Sequence, residues 1–168
     1  MSDWGDRYDP GDLTAVDPTL DHDHDHDHDG QGTADDQDLA PEETPPLYYG
    51  SVDEFVRLYL RLVYRRRIDG THRRWAARWW QHEEAIIRLE ALWRAWEHLR
   101  LDPATGMSIW WRDHADHHMP ALMNPDGPFA AISQSDPVNH SGPADPLPYI
   151  DPPEGLFPDE RELDSAHT

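Results

Sequence analysis

The residues of this sequence with the clearest chemistry are arginines and tryptophans that alternate over one short stretch. Six arginines lie within 14 residues and interleave with three tryptophans: Arg65, Arg66, Arg67, Arg73, Arg74 and Arg78 with Trp75, Trp79 and Trp80. Guanidinium groups pair with phosphates, and aromatic rings stack on unpaired bases. The pattern indicates a nucleic-acid-binding surface. The alternative is that the tryptophans form the core, while the arginines form a solvated helix face with Glu partners.

A pair of histidines has the spacing of a metal site. His114 and His118 are four residues apart, so on one helix their imidazoles can meet a single Zn²⁺. His82 and the side chains at 113, 116 and 117 are candidate further ligands. The intervening Ala-Asp-His does not match a His-Glu-x-x-His motif. Both histidines share a helical face with Trp111, so the alternative is a pair of hydrogen-bonded core histidines. Zinc is the one cofactor that the pattern suggests.

A second group of histidines alternates strictly with aspartates over residues 21–29. Four histidines in a flexible tract bind Ni²⁺, Cu²⁺ or Zn²⁺ weakly, and they titrate near neutral pH. The composition is equally that of a solvated linker, because it offers no apolar side chain to bury.

Enzyme chemistry has no matching pattern in this chain. There is no Gly-rich phosphate loop and no nucleophile elbow, and the absence of Cys excludes a thiolate nucleophile as well as disulfides. Glu83 and Glu84 are explained by the positive end of a helix dipole. We therefore predict no catalytic residue and a non-enzymatic protein.

Charge divides the chain into three parts. Residues 1–47 carry a net charge of −14, residues 48–132 carry +1, and residues 133–168 carry −7. High net charge with few apolar side chains predicts disorder in both acidic tails, and the second tail is also rich in Pro. The acidic tails would repel a polyanion, yet they could also mask a basic patch as internal competitors. We find neither a signal peptide nor a membrane span, and expect a cytoplasmic protein.

The middle part, residues 48–132, is predicted to be an all-α domain of three main helices, with one short helix as a possible addition. The first helix begins at the Ser51-Val52-Asp53-Glu54 capping box and runs to about Arg66. The second runs from about Glu83 to Arg100, and the third from about Met107 to His118, where Pro120 either kinks it or opens a last turn.

Helical periodicity also predicts which faces are buried. In the first helix the apolar arc contains Val52, Phe55, Val56, Tyr59, Leu62 and Val63. In the third helix one side contains Met107, Trp110, Trp111, His114 and His118.

Tryptophan is more abundant than so small a core should need, with seven in 37 residues. Neighbours in a helix point about 100° apart, so both members of an adjacent pair cannot face one narrow core. Exposed Trp is favoured as an interface anchor. The leading hypothesis is therefore a protein-interaction module, including self-association, whose surface contains Trp75, Trp79, Trp80, Trp110 and Trp111.

Several runs resemble an actinobacterial family, domain-of-unknown-function family forty-nine thirteen. They are Arg74 to Ala85, Arg88 to Glu97, Trp110 to His114, and Asp126 to Phe129. The resemblance covers about residues 48–132. The chain departs from the family at Ala76, Ala77 and Glu84, where members have Cys or Pro, and at His117, where they have Pro. The resemblance implies no activity, but it does imply an accessory protein of a plasmid or integrative element.

Overall fold

Three helical runs form the architecture of the computed structural model, which describes the backbone of residues 45–165 and the side chains of residues 45–163. Helix α1 joins α-helix Val52–Phe55, π-helix Val56–Leu60 and α-helix Arg61–Val63. Helix α2 is Glu83–Leu99. Helix α3 joins α-helix Gly106–Ile109, π-helix Trp110–Ala115 and α-helix Asp116–Leu122.

The remaining elements are short. Helix α4 is Glu160–Ser165, and 3-10 turns cover Trp79–Gln81 and Pro137–Asn139. Within the described residues no strand is present beyond one isolated bridge between Ile68 and Ser141. The all-α prediction with three main helices is confirmed.

The predicted cap begins α1. Ser51 Oγ accepts a hydrogen bond from the N–H of Glu54 at 3.2 Å, and Glu54 Oε2 accepts from the N–H of Gly50 at 2.6 Å. Two N–H groups near the helix start are thereby satisfied by side chains. The carboxylate therefore reaches one residue further back than in the predicted motif, and it holds the chain that enters the helix.

The π turn in α1 changes which residues are buried. Hydrogen bonds in a π turn span five residues, so each turn takes up one residue more than α geometry allows. The core-facing positions recur every four residues, at Val52, Val56, Leu60 and Tyr64. The predicted arc was wrong at its end, because Leu62 and Val63 are 38% and 40% exposed. This leaves apolar side chains on the outer side of α1.

The π turn in α3 has the same effect. Trp110, Ala115 and Met119 are fully buried, with a five-residue step between the first two. Of the face predicted for this helix, Trp110 alone is fully buried, whereas Met107, Trp111, His114 and His118 are half-buried. A constant 100° rotation per residue could not have located this shift.

A buried carboxylate joins the chain before α1 to helix α2. Glu97, only 7% exposed, accepts hydrogen bonds from the N–H groups of Tyr48 and Tyr49 at 3.0 and 2.8 Å. Trp93 Nε1 and Arg100 Nε also donate to it, at 3.3 and 2.8 Å. Four donors compensate the desolvation of this charge, and they fix the N-terminal entry of the domain on α2.

Residues 133–163, here called the C-terminal segment, pack against the helices. The prediction of a disordered tail from residue 133 is therefore wrong over this range. Leu147 is fully buried, and its N–H donates to the carbonyl of Arg61 at 3.1 Å. The N–H of Ile150 donates to the carbonyl of Ala77 at 2.9 Å. Composition misled the prediction because a few apolar anchors among Pro and Asp suffice to hold the segment. The tail predicted at residues 1–47 lies almost wholly outside the described residues.

The same segment completes the tryptophan core. Trp75 Nε1 donates to the carbonyl of Pro148 at 2.9 Å, and Trp80 Nε1 donates to that of Ile150 at 3.1 Å. The ring of Phe157 stacks on Trp79 with centroids 5.2 Å apart. The indole N–H groups of Trp75 and Trp80 thus find their acceptors in the C-terminal segment. Among the described residues, the indole N–H groups of Trp79 and Trp96 are buried without an acceptor.

Among residues 45–165, no helix combines the length and the apolar composition that a membrane crossing requires.

Replacing Leu147 tests whether the C-terminal segment belongs to the domain. We expect Leu147→Ala to lower the free energy of unfolding by about 3 kcal/mol, since it leaves a cavity in the core. Leu156→Ala is the matched control, because Leu156 is 46% exposed; its effect should stay within about 0.5 kcal/mol. Chemical denaturation measures both, and equally small losses would contradict the packing of this segment.

Candidate functional site

The stretch of residues 65–78, here called the arginine segment, leaves α1 and crosses to the end of α3. It is held at three points by backbone hydrogen bonds. The N–H of Ile68 donates to the carbonyl of Ser141 at 3.0 Å, and the N–H of Arg74 donates to that of Met123 at 3.0 Å. The N–H of Ala77 donates to Asn139 Oδ1 at 2.8 Å. The segment is therefore fixed by the domain although it contains little helix.

A tight turn at Asp69 and Gly70 positions the middle of the arginine segment. Asp69 Oδ1 accepts from the N–H groups of Thr71 and His72 at 3.0 and 2.8 Å. Gly70 has φ +74°, and its N–H donates to the carbonyl of Arg73 at 3.0 Å. The backbone N–H and the ring of His72 hold the pKa of Asp69 well below its usual range. The carboxylate is thus committed to the turn.

The six arginines of the segment differ in what their guanidinium groups contact. Arg65 donates to the carbonyls of Leu62 and Ala144, and Arg74 donates to those of Gly70 and Ala130. Arg66 lies 4.2 Å above the ring of Tyr64 and donates to the carbonyl of Arg65. Arg67, Arg73 and Arg78 are exposed. Within the described residues, ion pairs to carboxylates are made by other arginines: Arg57, Arg88, Arg94, Arg100, Arg112 and Arg161. The alternative with Glu partners is therefore not realised in this segment.

Two of these arginines meet at one cavity of about 320 Å³. Arg66 and Arg73 line it together with Tyr64 and Met123. Tyr64 and Met123 are 5% and 3% exposed, so they form an apolar floor beneath the charged rim. Burial raises the pKa of Tyr64, which keeps its hydroxyl neutral.

The predicted tryptophan interaction surface is wrong for three of its five members. Trp75, Trp79 and Trp110 have no exposed surface, so they cannot contact a partner in this fold. The prediction assumed that the core ends with the third helix. The C-terminal segment instead packs on the indoles of Trp75 and Trp79. The π turn in α3 places Trp110 in the core.

The other two tryptophans, Trp80 and Trp111, are half-buried. Trp80 is hydrogen-bonded to Ile150, as described above. The ring of Trp111 stacks on Tyr64 with centroids 5.9 Å apart and an angle of 16° between the planes. The rings of Trp80 and Trp111 therefore make contacts within the domain.

The apolar residues that α1 does expose were missed from the sequence. Leu58 is 45% exposed, and it lies one turn before the exposed Leu62 and Val63. Their signal was hidden because an α-helical wheel assigns Leu62 and Val63 to the core.

Of the three candidate metal-ligating histidines, His82 and His118 have different neighbours, and His114 is half-buried. The ring of His82 packs edge-on against Phe129 at 5.1 Å, and burial lowers the pKa of His82. His118 Nδ1 lies 3.4 Å from a guanidinium nitrogen of Arg88. Burial, followed by the charges of His117, Arg88 and His114, lowers the pKa of His118. A guanidinium at this ring nitrogen disfavours a metal cation there.

Among the residues that the structure describes, no group of three or more His, Asp or Glu side chains could hold a metal ion. The Asp-His tract at residues 21–29 lies outside the described residues.

The family model described as a domain of unknown function, DUF4913, matches residues 49–151. The chain belongs to the DUF4913 family. No curated protein and no solved structure shows detectable similarity to the chain. The DUF4913 match extends past Ile132 to include Leu147 and Ile150, the residues that anchor the C-terminal segment. The family domain thus includes much of the segment that composition had assigned to a tail.

The turn that positions Arg73 can be tested with a pair of glycines. A Cβ on Gly70 would lie 2.8 Å from the carbonyl oxygen of Gln134, whereas one on Gly155, with φ +77°, would meet nothing within 4 Å. We expect Gly70→Ala to lower the free energy of unfolding by about 2–4 kcal/mol, and Gly155→Ala by about 1 kcal/mol, the cost of left-handed backbone alone. Thermal unfolding of both variants measures the difference, and equal losses would mean that Gly70 does not pack on Gln134.

Proposed function

We propose that the domain binds nucleic acid through the arginine segment, mainly by contacting the phosphate backbone. The observation that carries this proposal is the absence of carboxylate partners for its six arginines within the described residues. A guanidinium without a carboxylate partner is available to a phosphate, and Arg forms paired hydrogen bonds with phosphate oxygens. We propose a binding role without catalysis, in the cytoplasm, for an accessory protein of a mobile element.

Local charge supports the proposal despite the acidity of the chain. Within the arginine segment, residues 65–78, the sequence has six arginines against Asp69 alone, a net charge of +5. The net charge of the whole chain is −20. Such a separation of charge gives this stretch an attractive field for a polyanion, at a range set by the ionic strength.

The acidic residues 1–47 supply an internal competitor for this surface. Their net charge of −14 is opposite to that of the arginine segment. A tethered competitor acts at high effective concentration, so it raises the affinity that a nucleic acid must have to bind. The packed residues 133–163 are part of the domain, so we assign the masking role to the N-terminal residues alone.

The exposed side chains of the arginine segment favour contacts to the phosphate backbone of a nucleic acid over stacking on its bases. The tryptophans that would stack on bases are buried or half-buried, whereas Arg67, Arg73 and Arg78 are exposed. Contacts to phosphates position a protein on nucleic acid but do not read its sequence. We therefore expect little sequence preference.

A salt titration of the full chain tests the proposal. Fluorescence anisotropy measures binding to a single-stranded oligonucleotide of about 12 nucleotides, a length within the usual site sizes. Five of the six arginines in the segment are exposed, all but Arg74. If these five contact phosphates, the affinity for the oligonucleotide should fall by about a hundredfold between about 50 and about 200 mM salt. Replacing Arg67 or Arg78 by Gln should lower the slope of log affinity against log salt by about 0.7 each.

Arg112→Gln is the matched control, because it removes the same charge from a side chain that is already paired with Asp113 at 2.7 Å. It should leave the slope unchanged. Replacing the five aspartates of residues 21–29 by Asn should increase affinity at low salt. No binding by either form of the chain at low salt would refute the proposal.

A second candidate function is a protein-interaction module, which includes self-association. The exposed apolar side chains of Leu58, Leu62 and Val63 on α1 favour it. Concentration-dependent association in sedimentation velocity, together with absent oligonucleotide binding, would select this candidate over the first.

A further inference from the structure

We propose that the cavity between Tyr64, Arg66 and Arg73 is a binding site for a phosphomonoester, either at the end of a nucleic-acid strand or in a free mononucleotide. The inference rests on the proposed function in one respect: a strand end can supply the phosphate only if the domain binds nucleic acid. The site itself follows from the geometry and charge of this one cavity.

The two guanidinium groups reach the cavity from different parts of the chain. Arg66 follows α1 directly, whereas Arg73 is presented by the turn at Asp69 and Gly70. Both arginines line the cavity, and both act electrostatically on the Tyr64 hydroxyl. Because the turn is pinned to Met123 and Ser141 by hydrogen bonds, the position of Arg73 is set by the fold.

Charge distinguishes this cavity from three others on the domain. Carboxylates outnumber arginines in the lining of each: Glu90 and Glu160 in one, Glu83 and Glu84 with Arg88 in the second, and Asp53, Asp151 and Glu154 with Arg57 in the third. The charged groups in the lining of the Tyr64 cavity are Arg66, Arg73 and the titratable His72. His72 is paired with Asp69, with 2.9 Å between Nδ1 and Oδ2. An anion is therefore favoured in this cavity and disfavoured in the others.

Two carboxylates act near the cavity without lining it: Asp69, which is paired with His72 and the turn, and Asp116 of α3, which acts electrostatically on the Tyr64 hydroxyl. Arg66 and Arg73 line the cavity itself, so the charge presented at its lining is positive. Asn124 adds a side-chain amide to the lining, and an amide N–H can donate to a phosphate oxygen.

Size and chemistry together select a phosphomonoester. The volume of about 320 Å³ lies at the lower end of ligand pockets, so it suits a single phosphate with part of its attached group. A terminal phosphate has three free oxygens and nearly two charges, whereas an internal phosphodiester has two free oxygens and one charge. Two guanidinium groups can each form paired hydrogen bonds with a terminal phosphate. The apolar floor of Tyr64 and Met123 accommodates the group attached to it.

The experiment compares oligonucleotides of the same sequence with a 5′-phosphate, a 3′-phosphate or hydroxyl groups at both ends, with the full chain in each case. Anisotropy at moderate salt should show about tenfold tighter binding of one phosphorylated strand, the gain expected from charge-assisted hydrogen bonds. Arg73→Gln should lower all affinities and reduce this ratio to about one, because the second guanidinium is lost. Arg78→Gln is the matched control on the same segment, and it should lower all affinities equally and keep the ratio.

Arg73→Lys is a second variant that separates loss of binding from a defect in folding, because it keeps the positive charge and removes the planar pair of donors. It should reduce the ratio to an intermediate value. A free mononucleotide, measured by calorimetry on the same variants, separates the two sources of phosphate. Its binding, lost in Arg73→Gln, supports the cavity even if no strand binds, in which case the proposed function fails alone.

Two results would overturn the cavity proposal while strands still bind. One is equal affinity for phosphorylated and unphosphorylated ends in the unaltered chain. The other is a preference for phosphorylated ends that survives unchanged in Arg73→Gln.

Discussion

The carbonyl groups of Pro148 and Ile150 accept hydrogen bonds from the indoles of Trp75 and Trp80, and the rest of the domain depends on these contacts. An indole can be buried cheaply only if its N–H finds an acceptor. A helical carbonyl supplies one to Trp110, whose Nε1 donates to the carbonyl of Leu92 in α2 at 2.9 Å. Trp75 and Trp80 instead find their acceptors in the irregular segment that crosses the helices at residues 147–150. Removal of this segment would expose the apolar faces of both rings to water and take away their two acceptors.

This arrangement also decides which side chains are available for function. Because the indoles point inward and the C-terminal segment covers them, the surface of the arginine segment is dominated by guanidinium groups. Its carboxylate, Asp69, is used by the turn. The positive charge that remains is concentrated on one short stretch of an otherwise acidic chain. A fold that uses Trp for packing thus presents Arg for recognition, the reverse of an interface anchored by exposed Trp.

The sequence predicted well those features of the fold that interactions between neighbouring residues determine. Helix α2 matched its predicted bounds almost to the residue, because its apolar periodicity is strong and its ends carry favourable charges. The buried faces of α1 and α3 could not be predicted, since nothing in the sequence marks a π turn that tertiary packing imposes. The C-terminal segment was missed because Leu147 and Phe157 are sparse among Pro and Asp. The six arginines were identified from the sequence, but the meeting of Arg66 and Arg73 required the turn at Gly70.

Hydrogen–deuterium exchange of the full chain, with and without a single-stranded oligonucleotide at low salt, tests most directly whether the arginine segment is the binding surface. Exchange reports protection along the backbone without any substitution. The account predicts new protection in residues 65–78 and at the end of α3 near Met123, with α2 unchanged. Protection confined to α2, or a complex that forms without any change in residues 65–78, would contradict it.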